Sequence, residues 1–246
     1  MNIVEMKNIH KTYAAGRNNS VHALRGVDFT LEQGSFTAVI GVSGSGKSTL
    51  LHIIGCLDTF DRGAYYFNGQ AAEHFTGKML ARVRNKEIGF VLQNFGLILG
   101  KSVYDNLALP LLLAPDVKWR EIRSKVSEIL EILGLEEKRE ALAEELSGGQ
   151  QQRIAIGRAV IHSPKLLIAD EPTGALDRET AGQVMELFKK LNRDFGMTVL
   201  LATHDPFVYE KCRYVVRLED GNIIDEYRQI PKDQRYADFG PGEGGI

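Results

Sequence analysis

An α/β fold built on a parallel sheet is the architecture this chain predicts, and three stretches carry the prediction. Lys165 to Asp170 and Thr198 to Ala202 are short apolar runs flanking a helical stretch near Ala181 to Asn192. Strand, helix, strand with uninterrupted apolar strands is the pattern of a parallel sheet covered on both faces. A third run, Ala38 to Ile40, reads as a strand and feeds a glycine-rich loop, Gly41 to Ser48, and then Thr49 to Ile54, which can be helical. That is a second strand-to-helix unit, with a loop able to hold an anion between its parts.

Around this core the other elements follow in order. Val27, Phe29 and Leu31 alternate with polar residues, Glu32-Gln33-Gly34 turns, and Phe36, Ala38 and Ile40 repeat the alternation. The reading is a pair of antiparallel strands, part of an N-terminal antiparallel β subdomain. Asn68-Gly69 and Asp220-Gly221 lie between strand-like runs and mark hairpins. Between those hairpins the texture becomes helical. Ile122, Val126, Ile129, Leu130 and Leu133 fall on one helical face, and Gly134 can end that helix. The expected organisation is one domain over 1–228 with a helical insertion at about 95–160. Beyond it a flexible tail is expected over 229–246, where the chain turns polar and glycine-rich.

Composition narrows the classes. The chain has 246 residues, 43% hydrophobic and 25% charged, long enough for a substantial core. A net charge of -2 offers no basic field for nucleic acid, and no nucleic-acid partner is expected. Cys56 and Cys212 have no paired spacing, so neither a disulfide framework nor a zinc site is indicated. The longest apolar run, Leu107 to Ala114, contains Pro110 and falls far short of the roughly 20 residues that span a bilayer. The start of the chain has no basic, then apolar, leader pattern.

The loop Gly41, Val42, Ser43, Gly44, Ser45, Gly46, Lys47, Ser48 matches G-x-x-x-x-G-K-[ST] between a strand and a helix. Glycines let backbone N–H groups turn inward on phosphates, and the helix N-terminus through Thr49 adds positive potential. Lys47 reaches the outer phosphates, and the Ser48 hydroxyl can ligate Mg²⁺. The expected ligands are therefore ATP and Mg²⁺. Asp170 ends an apolar strand and Glu171 follows it. Adjacent residues at a strand end face opposite ways, so Asp170 can face the metal while Glu171 acts as general base on the attacking water. A second anion turn, Ser147-Gly148-Gly149-Gln150, precedes an amphipathic stretch, Gln151 to Val160. One ATP needs one cradle, so a chain with two such turns reads as built to share them with another copy of itself. An ordinary helix cap would explain Ser147 but not the double glycine and the glutamine.

Leu146 to Arg153, Ala169 to Thr173, Ala175-Leu176-Asp177 and Thr203-His204-Asp205, in this order, resemble an ABC transporter ATPase subunit from about residue 3 to residue 228. The resemblance implies a P-loop NTPase core, RecA-like, with a helical subdomain particular to that family. It also implies a head-to-tail dimer, with ATP between the cradle of one copy and Ser147 to Gln150 of the other. Residue by residue, Tyr13 corresponds to the aromatic that stacks on adenine, with Val21 nearby. Gln93 corresponds to the glutamine that touches Mg²⁺ and the attacking water. Asp177 corresponds to the loop crossing the dimer interface. His204 corresponds to the histidine that contacts the γ-phosphate and steadies Glu171.

Leu50 to Asp58, Leu80 to Phe90 and Leu146 to Arg153 are similar to the lipoprotein-releasing and macrolide-export branch, near which the cell-division ATPase also falls. That branch implies a permease of the mechanotransmission type, exporting peptides or antibiotics or releasing lipoproteins. It places the chain at the cytoplasmic face of the cell membrane, held there by the permease. The stretch after Gln93 departs from the branch pattern: the usual asparagine and proline are lost, and two glycines, Gly96 and Gly100, appear. The permease is expected to dock along Gln93 to Tyr104, with Leu97 and Leu99 in an apolar groove. A soluble ATPase of this type without a permease, a cell-division regulator and a non-catalytic nucleotide-binding cassette are the alternatives.

Overall fold

The computed structural model describes residues 1–14 and 20–231. The chain opens with strands β1 (Asn2–Ala14), β2 (Ser20–Glu32) and β3 (Phe36–Ile40) and the helix α1 (Lys47–Ile54). Strands β4 (Arg62–Phe67) and β5 (Gln70–Ala71), helix α2 (Gly77–Arg82) and strand β6 (Ile88–Val91) follow. Three helices come next: α3 (Val103–Leu112), α4 (Trp119–Leu133) and α5 (Gly148–Val160). The rest is β7 (Leu166–Asp170), α6 (Arg178–Phe195), β8 (Thr198–Thr203), α7 (Pro206–Tyr209), β9 (Tyr214–Glu219) and β10 (Asn222–Arg228).

Two sheets result. One is antiparallel, in the order β2-β1-β4-β5, and the other runs β10-β9-β3-β8-β7-β6. In the second sheet β9, β3, β8, β7 and β6 are mutually parallel and only β10 returns antiparallel. Its central strands divide their side chains between two cores, as period-two alternation requires when both faces are covered. Val39, Ile168, Leu200 and Ala202 face α1 and the antiparallel sheet. Ala38, Leu167, Ala169, Val199 and Leu201 face the helices. The helical insertion has no core of its own. Leu107 of α3, Val126 of α4 and Ile154 of α5 belong to the same buried cluster as the sheet face. Amphipathic α4 needs a neighbour to bury its stripe, and Gly134 ends it in the left-handed conformation, φ 62°.

One local expectation is corrected. Glu32 to Gly34 does not join an antiparallel pair: β2 lies in one sheet and β3 in the other, between parallel neighbours β8 and β9. The alternation misleads because Ser35 and Thr37 are polar yet buried, with the Thr37 hydroxyl donating to Ser35 Oγ at 3.3 Å. A strand buried on both faces thus imitated a half-exposed one. β1 runs through Tyr13, which pairs with Val21 across the ladder. Asn68-Gly69 and Asp220-Gly221 do turn hairpins, each with both residues at positive φ.

Most of the expected tail, 232–246, lies outside the described residues. Its first residue is tied down: the Gln229 N–H donates to the Arg213 carbonyl at 2.9 Å, and its side-chain amide donates to the carbonyls of Tyr209 and Cys212. No helix among the described residues is long and apolar enough to cross a membrane.

Candidate active site

The C-terminal ends of β3, β7 and β8 are where a parallel sheet collects its ligands, and the chain folds a loop onto each. After β3 comes the glycine loop. Gly46 has φ 105°, and a Cβ there would stand 2.4 Å from the Ala23 carbonyl, so only glycine fits. Because Gly46 gives α1 no side-chain cap, the first N–H groups of that helix stay available to a ligand. They open on a cleft of about 660 Å³ lined by Tyr13, Val21, Ala23, Val42, Ser43, Gly44, Gly46, Lys47, Ser48, Thr49, Gln93, Asp170, Glu171 and His204.

Gly41 and Ser45 shape this loop without lining the cleft. The buried Ser45 hydroxyl stands where a Gly41 side chain would go, 2.6 Å from an added Cβ. Lys47 is buried, its ammonium donating to the carbonyls of Gly41 at 2.9 Å and Val42 at 3.0 Å. Those neutral acceptors hold the cation beside the cradle, and an arriving phosphate is a stronger partner.

After β7 comes Glu171, at φ 46°, a left-handed conformation that costs free energy for a non-glycine residue. The N–H of Glu171 donates to the Ala202 carbonyl at 2.9 Å. The Thr203 hydroxyl donates to one carboxylate oxygen at 3.3 Å, and His204 Nδ1 lies 2.7 Å from the other. An ionised carboxylate only accepts, so Nδ1 is the donor in that pair. Glu171 is thereby aimed into the cleft beside His204, which is largely exposed. Asp205 does not assist His204: it pairs with Arg178 at 2.8 Å and caps α7. Ser48, Gln93 and Asp170 contribute hydroxyl, amide and carboxylate oxygens to the same cleft. An oxygen-only donor set suits a hard cation such as Mg²⁺.

The second turn is elsewhere: Ser147 to Gln150 and Asp177 do not line the cleft. Its local structure also changes the reading of its residues. Ser147 accepts from the Gln150 N–H at 3.4 Å, and the Gln150 side chain accepts from the Ser147 N–H at 3.0 Å. This capping box accounts for Gln150 as well as Ser147, contrary to the expectation that a cap leaves the glutamine unexplained. Gly149 has a packing reason, since a Cβ would come 2.2 Å from the Thr180 methyl. Only Gly148 has no internal reason: it is exposed, and a Cβ there would touch only Leu176, at 3.6 Å. Asp177 caps α6, accepting from the Thr180 N–H at 2.9 Å and the Thr180 hydroxyl at 2.6 Å, and these bonds hold its pKa below the ordinary value. Thr180 therefore joins the Asp177 cap to the start of α5.

Several residues at the site had no role in the sequence reading. Ala23 lines the cleft, Thr203 holds Glu171, and Asp58 accepts from the Tyr13 hydroxyl at 2.6 Å. Asp58 belongs to the branch-specific run Leu50 to Asp58, which was the available signal.

A glycine cradle on an uncapped helix, with an aimed carboxylate and histidine at the neighbouring strand ends, defines a nucleoside-triphosphate hydrolase. The chain belongs to the ABC transporter family, whose model matches residues 24–174, and it is an ATP-binding, ATP-hydrolysing cassette of that family. It is 44% identical over 227 residues to the macrolide export ATP-binding/permease protein MacB of Syntrophobacter fumaroxidans, covering 92% of this chain and 32% of that protein. It is 43% identical over 228 residues to the ABC transporter ATP-binding protein YxdL of Bacillus subtilis, covering 92% of this chain and 86% of that one. Among solved structures it resembles the dimeric ATP-binding cassette MJ0796 in a post-hydrolysis state bound to ADP and phosphate. That likeness has a TM-score of 0.83 and 38% identity, over 92% of this chain and 98% of that one. The chain spans about a third of the length of the macrolide exporters it matches.

Proposed function

We propose that the chain works as one half of a head-to-tail dimer in which each nucleotide is held by the cradle of one copy and by Ser147 to Gln150 of the other. Closure of that dimer drives a membrane permease of the mechanotransmission type at the cytoplasmic face, for export of peptides or antibiotics or for lipoprotein release. The carrying observation is the separation of the two anion turns within one chain, together with an exposed Gly148 that nothing inside the chain requires. The relatives, a macrolide exporter and a dimeric cassette, support the reading.

In this reading Tyr13 and Val21 receive the adenine, and the N–H groups from Val42 to Thr49 with Lys47 receive the phosphates. Mg²⁺, held by Ser48, Gln93 and Asp170, supplies charge neutralisation on the outer phosphates. Glu171, steadied by Thr203 and His204, takes the proton of the attacking water. Ser147 to Gln150 of the second copy, beside its Asp177, close over the γ-phosphate and exclude water.

The docking segment is narrower than Gln93 to Tyr104. Phe95, Leu97 and Tyr104 pack against the helical core, whereas Ile98 and Leu99 are exposed. The permease contact proposed here therefore rests on Ile98 and Leu99.

Mixing tests the composite site. Lys47→Ala lacks a working cradle and Gly148→Asp a working second turn. Each chain alone is expected to be inactive, while their mixture regains ATP hydrolysis, read as phosphate release, from the one intact composite site. A mixture no more active than its components would sink the shared-site reading.

A further inference from the structure

The Tyr13 ring is held from behind by a charged pair that no step above uses. Its hydroxyl donates to Asp58 Oδ2 at 2.6 Å, while Lys11, buried on the same strand, donates to Asp58 Oδ1 at 2.8 Å. The Lys11 ammonium also lies 4.9 Å from the centre of the Tyr13 ring. Asp58 itself is fixed, because the Thr59 N–H donates to Oδ1 at 2.7 Å. Two residues on, Asp61 accepts from the Thr12 N–H at 2.7 Å and its own N–H donates to the His10 carbonyl at 2.8 Å. The loop after α1 is thus laced to the far end of β1 across His10 to Tyr13.

Burial works against the charges here, yet the pair outweighs it. The hydrogen bonds from Lys11 and Tyr13 pull Asp58 below the ordinary carboxylate value, and Asp58 lifts Lys11 above the ordinary lysine value. Tyr13 lines the nucleotide cleft whereas Lys11 and Asp58 do not. The cation therefore lies over the ring of a side chain that also lines the cleft.

We infer that Asp58 is a positioning residue for nucleotide binding: with Lys11 it locks the Tyr13 ring in the orientation that stacks on a purine base. This rests on reading the cleft as the ATP site with Tyr13 as its base contact. A half-exposed tyrosine at a strand end would otherwise sample several orientations, and freezing one on binding costs affinity. The lock makes that ordering part of folding. It acts on binding and not on the chemical step, because Asp58 and Lys11 lie outside the cleft that Glu171 lines.

The test measures KM and kcat for Mg·ATP, together with direct ATP titration in a Glu171→Gln background. Asp58→Ala and Tyr13→Phe are each expected to raise KM by about three- to tenfold, the range of a single partly exposed charged hydrogen bond, with kcat unchanged. The double variant is expected to be no worse than either single one, since both break the same bond. Asp58→Asn keeps an acceptor oxygen for the hydroxyl and is expected to restore most of the affinity. If Asp58→Ala is poorly folded, Asp58→Asn and Tyr13→Phe, both close in shape to the native side chains, still decide the matter. Wild-type KM in Tyr13→Phe, additive losses in the double variant, or a fall in kcat at constant KM would each overturn the lock. Tyr13→Ala separates the two levels: wild-type affinity there would remove the base contact itself, while a loss there with none in Tyr13→Phe removes only the role of Asp58.

Discussion

Two glycine-rich turns in this chain each hand the backbone to a helix N-terminus, and they are built in opposite ways. The turn before α1 ends in Gly46, which offers no cap, and leaves its N–H groups open on the cleft. The turn before α5 is closed on itself by Ser147 and Gln150 and packed onto Thr180 through Gly149. The first is a preorganised anion site that needs only its ligand. The second already engages its Gln150 N–H, so in the proposed dimer a phosphate brought by another copy has to compete with a weak internal bond of 3.4 Å. A long cap bond is easily exchanged, and that suits a site meant to engage only at closure.

The largest expected effect sharpens this contrast. Glu171→Gln removes the base but keeps the side-chain shape, and hydrolysis is expected to fall about 10²- to 10⁴-fold while ATP still binds. In the ATP-bound variant, amide exchange at Gln150 should slow relative to the nucleotide-free chain, because its N–H gains a stronger acceptor than Ser147. Wild-type turnover in this variant would remove Glu171 from the base role. Unchanged exchange at Gln150 would mean that the second turn never opens.

The glycines of the second turn come next, and they are expected to part company. Gly149→Ala drives a methyl against Thr180, and overpacking of this kind costs about 1–3 kcal/mol, read as a lowered Tm. Gly148→Ala meets only Leu176 at an ordinary distance and restricts the unfolded chain, worth about 0.4–1 kcal/mol, so Tm should hold or rise. Its ATPase activity should nevertheless drop, because in the proposed dimer the added methyl would face the partner's nucleotide. A Gly148→Ala chain with undiminished hydrolysis would leave that glycine without any reason. Ser147→Ala is smaller in stability, about 0.5–2 kcal/mol for a lost cap and toward the low end given the long bond.

The same contrast explains what the sequence made legible. The cradle was readable because its residues are consecutive in the chain. The cap formed by Gln150 is local, with Ser147 three residues earlier, and was missed all the same, whereas the packing reason for Gly149 was not legible because it is Thr180, on another helix. Asp58 went unassigned for the same cause, since its partners Lys11 and Tyr13 lie on β1, far back in the chain. The parallel order of β7 and β8 was legible from unbroken apolar runs, whereas β3 was mispaired because buried Thr37 mimics a solvent-facing position. Leu97 was assigned to a docking groove on its apolarity alone, and apolarity does not distinguish a residue that packs inward from one left exposed like Leu99.

The smallest expected effect concerns the Asp177 cap, which links the start of α6 to the start of α5 through Thr180. Asp177 is fully exposed, and its carboxylate is stabilised first by the Thr180 hydroxyl and then by the Thr180 N–H. Its folded pKa lies below the value of about 3.9 expected for an unfolded aspartate. A depressed carboxylate contributes stability that is fully present above the unfolded value and is lost as pH falls through the folded one. The contribution should therefore be intact from neutral pH down to about pH 5 and fade only in stronger acid. Asp177→Asn keeps a cap but not the charge, so its Tm should match the wild type at low pH and fall slightly below it at neutral pH. A Tm difference that stayed constant across this range would show that the Asp177 charge is spent elsewhere, and that Thr180 is held to α5 by the Gly149 contact alone.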